Sequence, residues 1–285
     1  MTAALRKRGL DWLLNAYAGL ALIYLLVPIA VIIVFSFNDP IGRFNFVWEQ
    51  FSLDAWKHPF AVQGVGDALK TSIQIAALST VIATALGTLT ALALVRYEFK
   101  GRSPVNFFIF IPLATPEVVL GAALLSQFLN WGTPQLGFAT ILIAHVMFNL
   151  SFVVITVRSR LIGFDRSLEE AAQDLGATPW ETFRLVTLPL IMPGVAAAAL
   201  LAFALSIDDF VITNFNSGST ITFPLFIWGA ARVAVAPQIY VIATMIFLFT
   251  VAMMILTVWQ QRRADKMAAV RPDDTELAAL EPAPA

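Results

Sequence analysis

The chain has 285 residues, of which 59% are hydrophobic and only 13% charged, and its mean hydropathy is +0.78. That balance excludes a soluble globular domain and points to the lipid bilayer, not nucleic acid, as the surroundings of a one-domain polytopic membrane protein. The net charge of −1 says nothing about partners, and the absence of cysteine excludes a disulfide framework while leaving the compartment open.

Arg6, Lys7 and Arg8 precede an apolar run from Trp12 to Phe35. The run is longer than a cleavable signal core and no clean A-x-A site follows, so it reads as a retained first span. Trp48, Phe51, Trp56 and Phe60 mark the next loop, as amphipathic aromatics that settle at a membrane interface. A second span lies within Thr71–Val95, followed by a basic loop with Arg96, Lys100 and Arg102. From Val118 to Val157 there is no Asp, Glu, Lys or Arg. As one helix that stretch would measure about 60 Å against roughly 30 Å for a bilayer core, so it holds parts of two crossings. Gly132-Thr133-Pro134 marks the turn between them, with the third span starting near Pro104 and the fourth ending near Arg158. A fifth span runs from Pro193 to about Phe215. Phe223–Ala231 is apolar but too short to cross, hence re-entrant or interfacial, and a sixth span falls within Val233–Gln261.

The expectation is an all-α membrane fold of six spans over residues 12–263, after a cytoplasmic segment 1–11 and before a disordered, cytoplasmic tail 264–285. With the N-terminus inside, only Arg43, Lys57, Lys70 and Arg232 of the 18 Lys and Arg lie outside, which satisfies the positive-inside rule.

Between the fourth and fifth spans, residues 165–194 turn polar and read as two short helices set at an angle. Ser167 with Glu170, and Thr178 with Glu181, have the spacing of capping boxes; Pro179 fits the first helical position, and Gly176 supplies a left-handed stop. Leu168, Ala171, Ala172 and Leu175 form a narrow apolar stripe, and Pro189 is expected to end the second helix. On its residues alone this elbow is either a connection lying on lipid headgroups or a docking surface for a soluble partner.

Glu117 lies about 13 residues into the third span and Asp208 about 15 into the fifth, placing both roughly 20–22 Å from the cytoplasmic boundary. An ionised carboxylate at such depth costs roughly 2.5–3.5 kcal/mol, and no Lys or Arg lies inside any span. Such acids imply a wet cavity, protonation or a cationic visitor. Pro112 and Pro116 would loosen the third helix beside Glu117. Asp209, about 100° round the helix from Asp208, need not share its face, and either aspartate has the alternative of bracing a helix end. His145, with Asn149 one turn on, reads as satisfying a neighbouring helix, His58 as inert and Trp228 as an interface anchor. Gly87, Gly121, Gly194 and Ala196–Ala199 read as close helix packing. No G-x-x-x-x-G-K-[ST] motif occurs, so no phosphate cradle, catalytic residue or metal site is expected in this chain. An intramembrane aspartyl protease built on Glu117 and Asp208 would leave the elbow unexplained.

Glu170-Ala171-Ala172, Gly176 and the later Val186-Thr187-Leu188-Pro189 resemble the EAA loop of ABC importer permeases. Leu205-Ser206-Ile207-Asp208-Asp209 with Ser217-Gly218, and Pro116-Glu117-Val118-Val119, are similar to the polyamine (spermidine/putrescine) branch of that family. The resemblance implies a type I ABC importer permease fold in a bacterial inner or plasma membrane. It implies that Glu170, Ala171, Ala172, Leu175, Gly176 and Ala177 couple to an ATPase. It likewise assigns Ser206, Asp208, Asp209 and Glu117 to the substrate path. The implied partners are a second, homologous permease forming a heterodimer, two cytoplasmic ATP-binding subunits that hold ATP-Mg, and an extracytoplasmic polyamine-binding protein. The alternatives within reach are a permease for iron, thiamine or an oxyanion, and a proton-coupled secondary transporter. Anions are disfavoured because nothing basic lies in the path.

Overall fold

The computed structural model describes residues 2–132 and 135–269. In chain order the helices are α1 (Thr2–Phe35), α2 (Asp54–Lys57), α3 (Val65–Arg96), α4 (Arg102–Ala114), α5 (Glu117–Asn130), α6 (Phe138–Ile162), α7 (Ser167–Asp174), α8 (Pro179–Thr182), α9 (Leu188–Ile207), α10 (Val211–Asn216), α11 (Phe223–Val233) and α12 (Pro237–Ala269). A π-helical turn, Phe183–Thr187, joins α8 to α9. Among the described residues, four helical stretches are long and apolar enough to cross a bilayer: Trp12–Phe35, Val65–Arg96, Phe138–Ile162 and Pro179–Ile207. The bent pair α4–α5 makes a fifth if it is one span, and the apolar part of α12 is Pro237–Ala252.

Four expectations change. The third span is broken at Thr115-Pro116, where α4 and α5 meet at 113°, because proline there denies a helical hydrogen bond and biases the preceding residue to extended backbone. The helix that holds the fifth span begins before Pro193 and does not run unbroken to Phe215. Helix extends from Pro179 through Pro189 and Pro193 to Ile207, then breaks at Asp208-Asp209-Phe210 before α10. Pro189 fails to end the second elbow helix because the π turn precedes it. The Leu188 N–H reaches back to Phe183 O, and the widened turn makes room for a residue without an N–H. Finally, α12 continues as helix to Ala269, into the segment expected to be a disordered tail. Residues 270–285, Thr133 and Pro134 lie outside the described residues, so the rest of the tail and part of the expected turn do too; Gly132 is left-handed, with φ 67°.

The chain divides into two compact units, residues 1–62 with 233–285 and residues 63–232. In the first, the loop after α1 is knitted by side chains. Asn38 donates to Asn45 Oδ1 (2.6 Å) and Val47 O (2.7 Å), and Asn45 donates to Phe35 O (2.8 Å). Phe37 stacks between Phe51 and Trp56, and the Trp56 indole donates to Ser36 Oγ at 3.2 Å. Phe51 and Trp56, expected to settle at a membrane interface, therefore also pack on Phe37 within the loop.

The second unit holds the core, where α3, α6 and α9 pack together. Ala83 and Ala91 of α3 and Ala198 and Ala202 of α9 are buried against Val153, Val154 and Val157 of α6. Between membrane helices, small residues gain by close backbone approach what apolar transfer does not supply. A Cβ on Gly87 would sit 2.6 Å from Val153 Cγ1, and one on Gly194 2.8 Å from Arg160 Cβ. A second cluster, Leu120, Ala144, Phe148 and Ile212, seats α5 and α10 on α6, and a Cβ on Gly121 would meet Phe215 Cδ2 at 2.8 Å. All three glycines expected to pack helices closely do so.

Candidate substrate path and coupling elbow

Both of the helix breaks in the second unit carry acids. Glu117 is the first residue of α5, where the helix dipole favours a carboxylate, and Asp208 caps the C-terminal end of α9. Both are exposed in this chain, and the helices that follow them, α5 and α10, pack together, a Cβ on Gly121 falling 3.4 Å from Ile212 Cα. Among the described residues, neither forms an ion pair with Lys or Arg.

Asp209 is placed differently. Its side chain is only 6% exposed, and its carboxylate accepts from Thr213 N (2.8 Å), Thr213 Oγ1 (2.7 Å) and Ile212 N (3.4 Å), so it holds the start of α10. His145 of α6 approaches the same oxygen, with Nε2 3.2 Å from Asp209 Oδ2 and 2.9 Å from Thr213 Oγ1. The Thr213 proton is spent on Asp209, so Nε2 must carry the imidazole hydrogen. On the other side His145 Nδ1 lies 2.6 Å from Ser206 Oγ, which also receives the Ser79 hydroxyl at 3.0 Å. Ser206 is thus buried in a polar chain running from α3 through α9 and α6 to the break. Counting only Lys and Arg as partners hid this pairing, because the partner is a histidine far away in sequence.

The elbow has one of its two expected caps. Thr178 and Glu181 form the reciprocal box: Thr178 N donates to Glu181 Oε2 at 2.8 Å and Glu181 N to Thr178 Oγ1 at 3.3 Å. These bonds from Thr178 hold the Glu181 carboxyl below its ordinary value. Pro179 opens α8, and Gly176 is left-handed, with φ 91°. The Ser167–Glu170 box does not form. The Ser167 N–H donates instead to Asp165 Oδ1 at 3.0 Å, an Asx turn that supplies the acceptor from before the helix and lowers the Asp165 carboxyl's pKa. Glu170, Ala171 and Gly176 are exposed, Ala172 and Ala177 are half-buried, Leu175 is 90% exposed, and Trp180 is exposed as well. Glu169, to which the sequence reading gave no role, turns inward to Arg96 and Thr187. Trp228 packs its ring on Phe210 at 5.1 Å, with the Arg232 guanidinium 4.8 Å over it, so it contacts the residue after the acid pair.

This arrangement can offer two separated negative charges to a cation and an apolar projection to a soluble protein. Similarity to known proteins agrees with that chemistry. The chain is 39% identical over 233 residues to the spermidine/putrescine transport system permease protein PotC of Escherichia coli (strain K12), covering 81% of this chain and 87% of that one. It is 38% identical over 231 residues to the putrescine transport system permease protein PotI of the same organism, covering 78% and 81%. Its fold is similar to that in the crystal structure of a bacterial ABC transporter involved in the import of the acidic polysaccharide alginate. That match has a TM-score of 0.65 at 18% identity, covers 89% of this chain and 96% of that one, and bears on the fold alone. Residues 83–266 match the family described as binding-protein-dependent transport system inner membrane component. With its membrane-spanning helices, the chain is a multi-pass membrane protein and belongs to that family of transport permeases.

Proposed function

We propose that this chain is a transmembrane permease subunit of an ATP-driven importer of polyamines such as putrescine and spermidine. The observation that carries the reading is the pair Glu117 and Asp208, exposed at the breaks before α5 and before α10, two helices that pack on one another. Ammonium groups spaced along a flexible apolar chain need separated carboxylates with apolar surface between them. The breaks add free backbone carbonyls, which charged and polar cargo can use where a continuous helix offers none. Similarity to PotC and PotI over most of the chain supports the same cargo class.

In this reading the chain has six spans, with α4–α5 and α9–α10 as broken ones, and both termini in the cytoplasm. It pairs with a second, homologous permease and receives cargo from an extracytoplasmic binding protein. Two ATP-binding subunits hold ATP-Mg and dock on the elbow through Glu170, Ala171, Ala172, Leu175, Gly176 and Ala177. Leu175 and Trp180, both exposed on the elbow, are the apolar anchors such a docking needs. Asp209 and Ser206 shape the path from behind, by fixing the break, while Asp208 and Glu117 face the cargo.

The test is ATP hydrolysis by the assembled, reconstituted complex. Putrescine or spermidine delivered by the binding protein should stimulate the wild type, and Asp208→Asn should lose most of that response. Stimulation by sulfate, iron or thiamine in place of a polyamine, or a full polyamine response in the variant, would overturn the cargo assignment. Uptake that persists without any ATPase would mark a proton-coupled transporter.

A further inference from the structure

The elbow is joined to the membrane core by more than the chain that continues into α9. Glu169, on the inward side of α7, accepts from Arg96 at the C-terminal end of α3 and from the Thr187 hydroxyl, and Arg96 lies 3.3 Å from Thr187 Oγ1. The Arg96 and Glu169 side chains are 24% and 14% exposed, and Thr187 is fully buried in the π turn. Arg166, just before α7, donates to Val95 O at 3.1 Å, a second tie to the same end of α3. Midway along α3, and near the far end of α9, Ser79 donates to Ser206 at 3.0 Å.

The two cross-links lie about 26 Å apart along α3, from Ser79 to Arg96, and roughly 28 Å apart along α9, from Thr187 to Ser206. Numbers rise along one helix as they fall along the other, so α3 and α9 are antiparallel and pinned at both ends of most of a bilayer's thickness. The outer pin continues through His145 into Asp209, behind the acid pair. The π turn matters here as well. A π-helical turn is a soft point in a helix, and this one separates the elbow from the proline-containing start of α9. A push on the elbow transmitted through α8 alone would be absorbed there. The Arg96–Glu169–Thr187 cluster bridges it.

We propose that Arg96 and Glu169 are positioning residues for transport: they carry the elbow's displacement around the π turn into α3, so that α3 and α9 move as one rod and shift the α9–α10 break. This inference rests on the reading of the elbow as the ATPase dock. It commits to a geometric role for the ion pair, which a merely stabilising surface pair would not have.

Charge exchange tests it, in the full complex with both permeases, both ATPases and the binding protein. Arg96→Glu and Glu169→Arg alone should each lower cargo-stimulated ATP hydrolysis and uptake by about tenfold, with ATPase co-purification unchanged, a drop within the usual range of coupling between sites. The double exchange keeps both charges and the summed side-chain length, and should recover to within about threefold of wild type as a non-additive pair. Assembled singles that couple normally, or an assembled double no better than the singles, would overturn the proposal. If the charge variants do not assemble, Thr187→Val decides: weakened coupling supports the bridge and unchanged coupling sinks it. A Leu175→Asp variant separates the underlying reading. If ATPases co-purify with it as with wild type, the elbow is not the dock, whatever the ion pair does.

Discussion

His145 holds Asp209 across the α6–α10 contact at 3.2 Å, while Asp208, adjacent in the chain, is left exposed at the end of α9. Two neighbouring aspartates thus have opposite surroundings. One closes a buried hydrogen-bond chain and the other is exposed. The separation follows from the break itself: Asp208 ends one helix and Asp209 starts the next, so their side chains leave the backbone in different directions.

Exchanging each for its amide should divide stability from response. Asp209→Asn leaves His145 Nε2 and the Thr213 donors with a weaker acceptor in a dry place, and should cost about 1–3 kcal/mol, read as a lower melting temperature of the purified complex. Asp208→Asn should change the melting temperature little and lose most of the cargo stimulation. Equal melting temperatures with equal loss of response would contradict the division.

Close helix approach gives a second contrast. Gly87→Ala puts a Cβ 2.6 Å from Val153 Cγ1 in the α3–α6 contact and should destabilise the protein by about 1–3 kcal/mol. Gly229→Ala, on α11, has nothing within 4 Å to meet and should be neutral or stabilise by up to about 1 kcal/mol through helix propensity. Thermal melting of the two variants side by side checks both signs.

Gly176 owes its role to backbone conformation, since a Cβ there meets open space while φ is 91°. Gly176→Val should strain the elbow by about 1–2 kcal/mol and weaken ATPase co-purification without affecting membrane insertion, whereas Gly176→Asn should be milder because Asn tolerates the left-handed region.

The second elbow cap should titrate. Glu181 has its folded pKa held below the ordinary value of 4.5 by the hydrogen bonds from Thr178. A depressed carboxyl contributes stability that is fully present above the unfolded value and is lost as pH falls through the folded one. The cap should therefore be intact at neutral pH and open only in the acid range below 4.5. Fluorescence of Trp180, whose ring lies 5.6 Å from Phe183, together with amide exchange at Glu181, should follow the opening, and Glu181→Gln should remove its pH dependence.

What the sequence determined by itself was local. Apolar run length set the membrane class, because a span must satisfy its backbone within itself. Thr178-x-x-Glu181 and Gly176 set the second cap and the left-handed stop of the elbow, because both depend on groups a few residues apart. Proline beside Glu117 marked a weak point, although the local signal gave a loosened helix where the chain makes a 113° bend. Only the tertiary structure decided which aspartate is paired, since His145 meets Asp209 across 64 positions. It alone brought Glu169 to Arg96 across 73, and Gly87 to Val153. Such contacts depend on how α3, α6 and α9 pack, and packing is a property of surfaces in register, which no window of neighbouring residues contains.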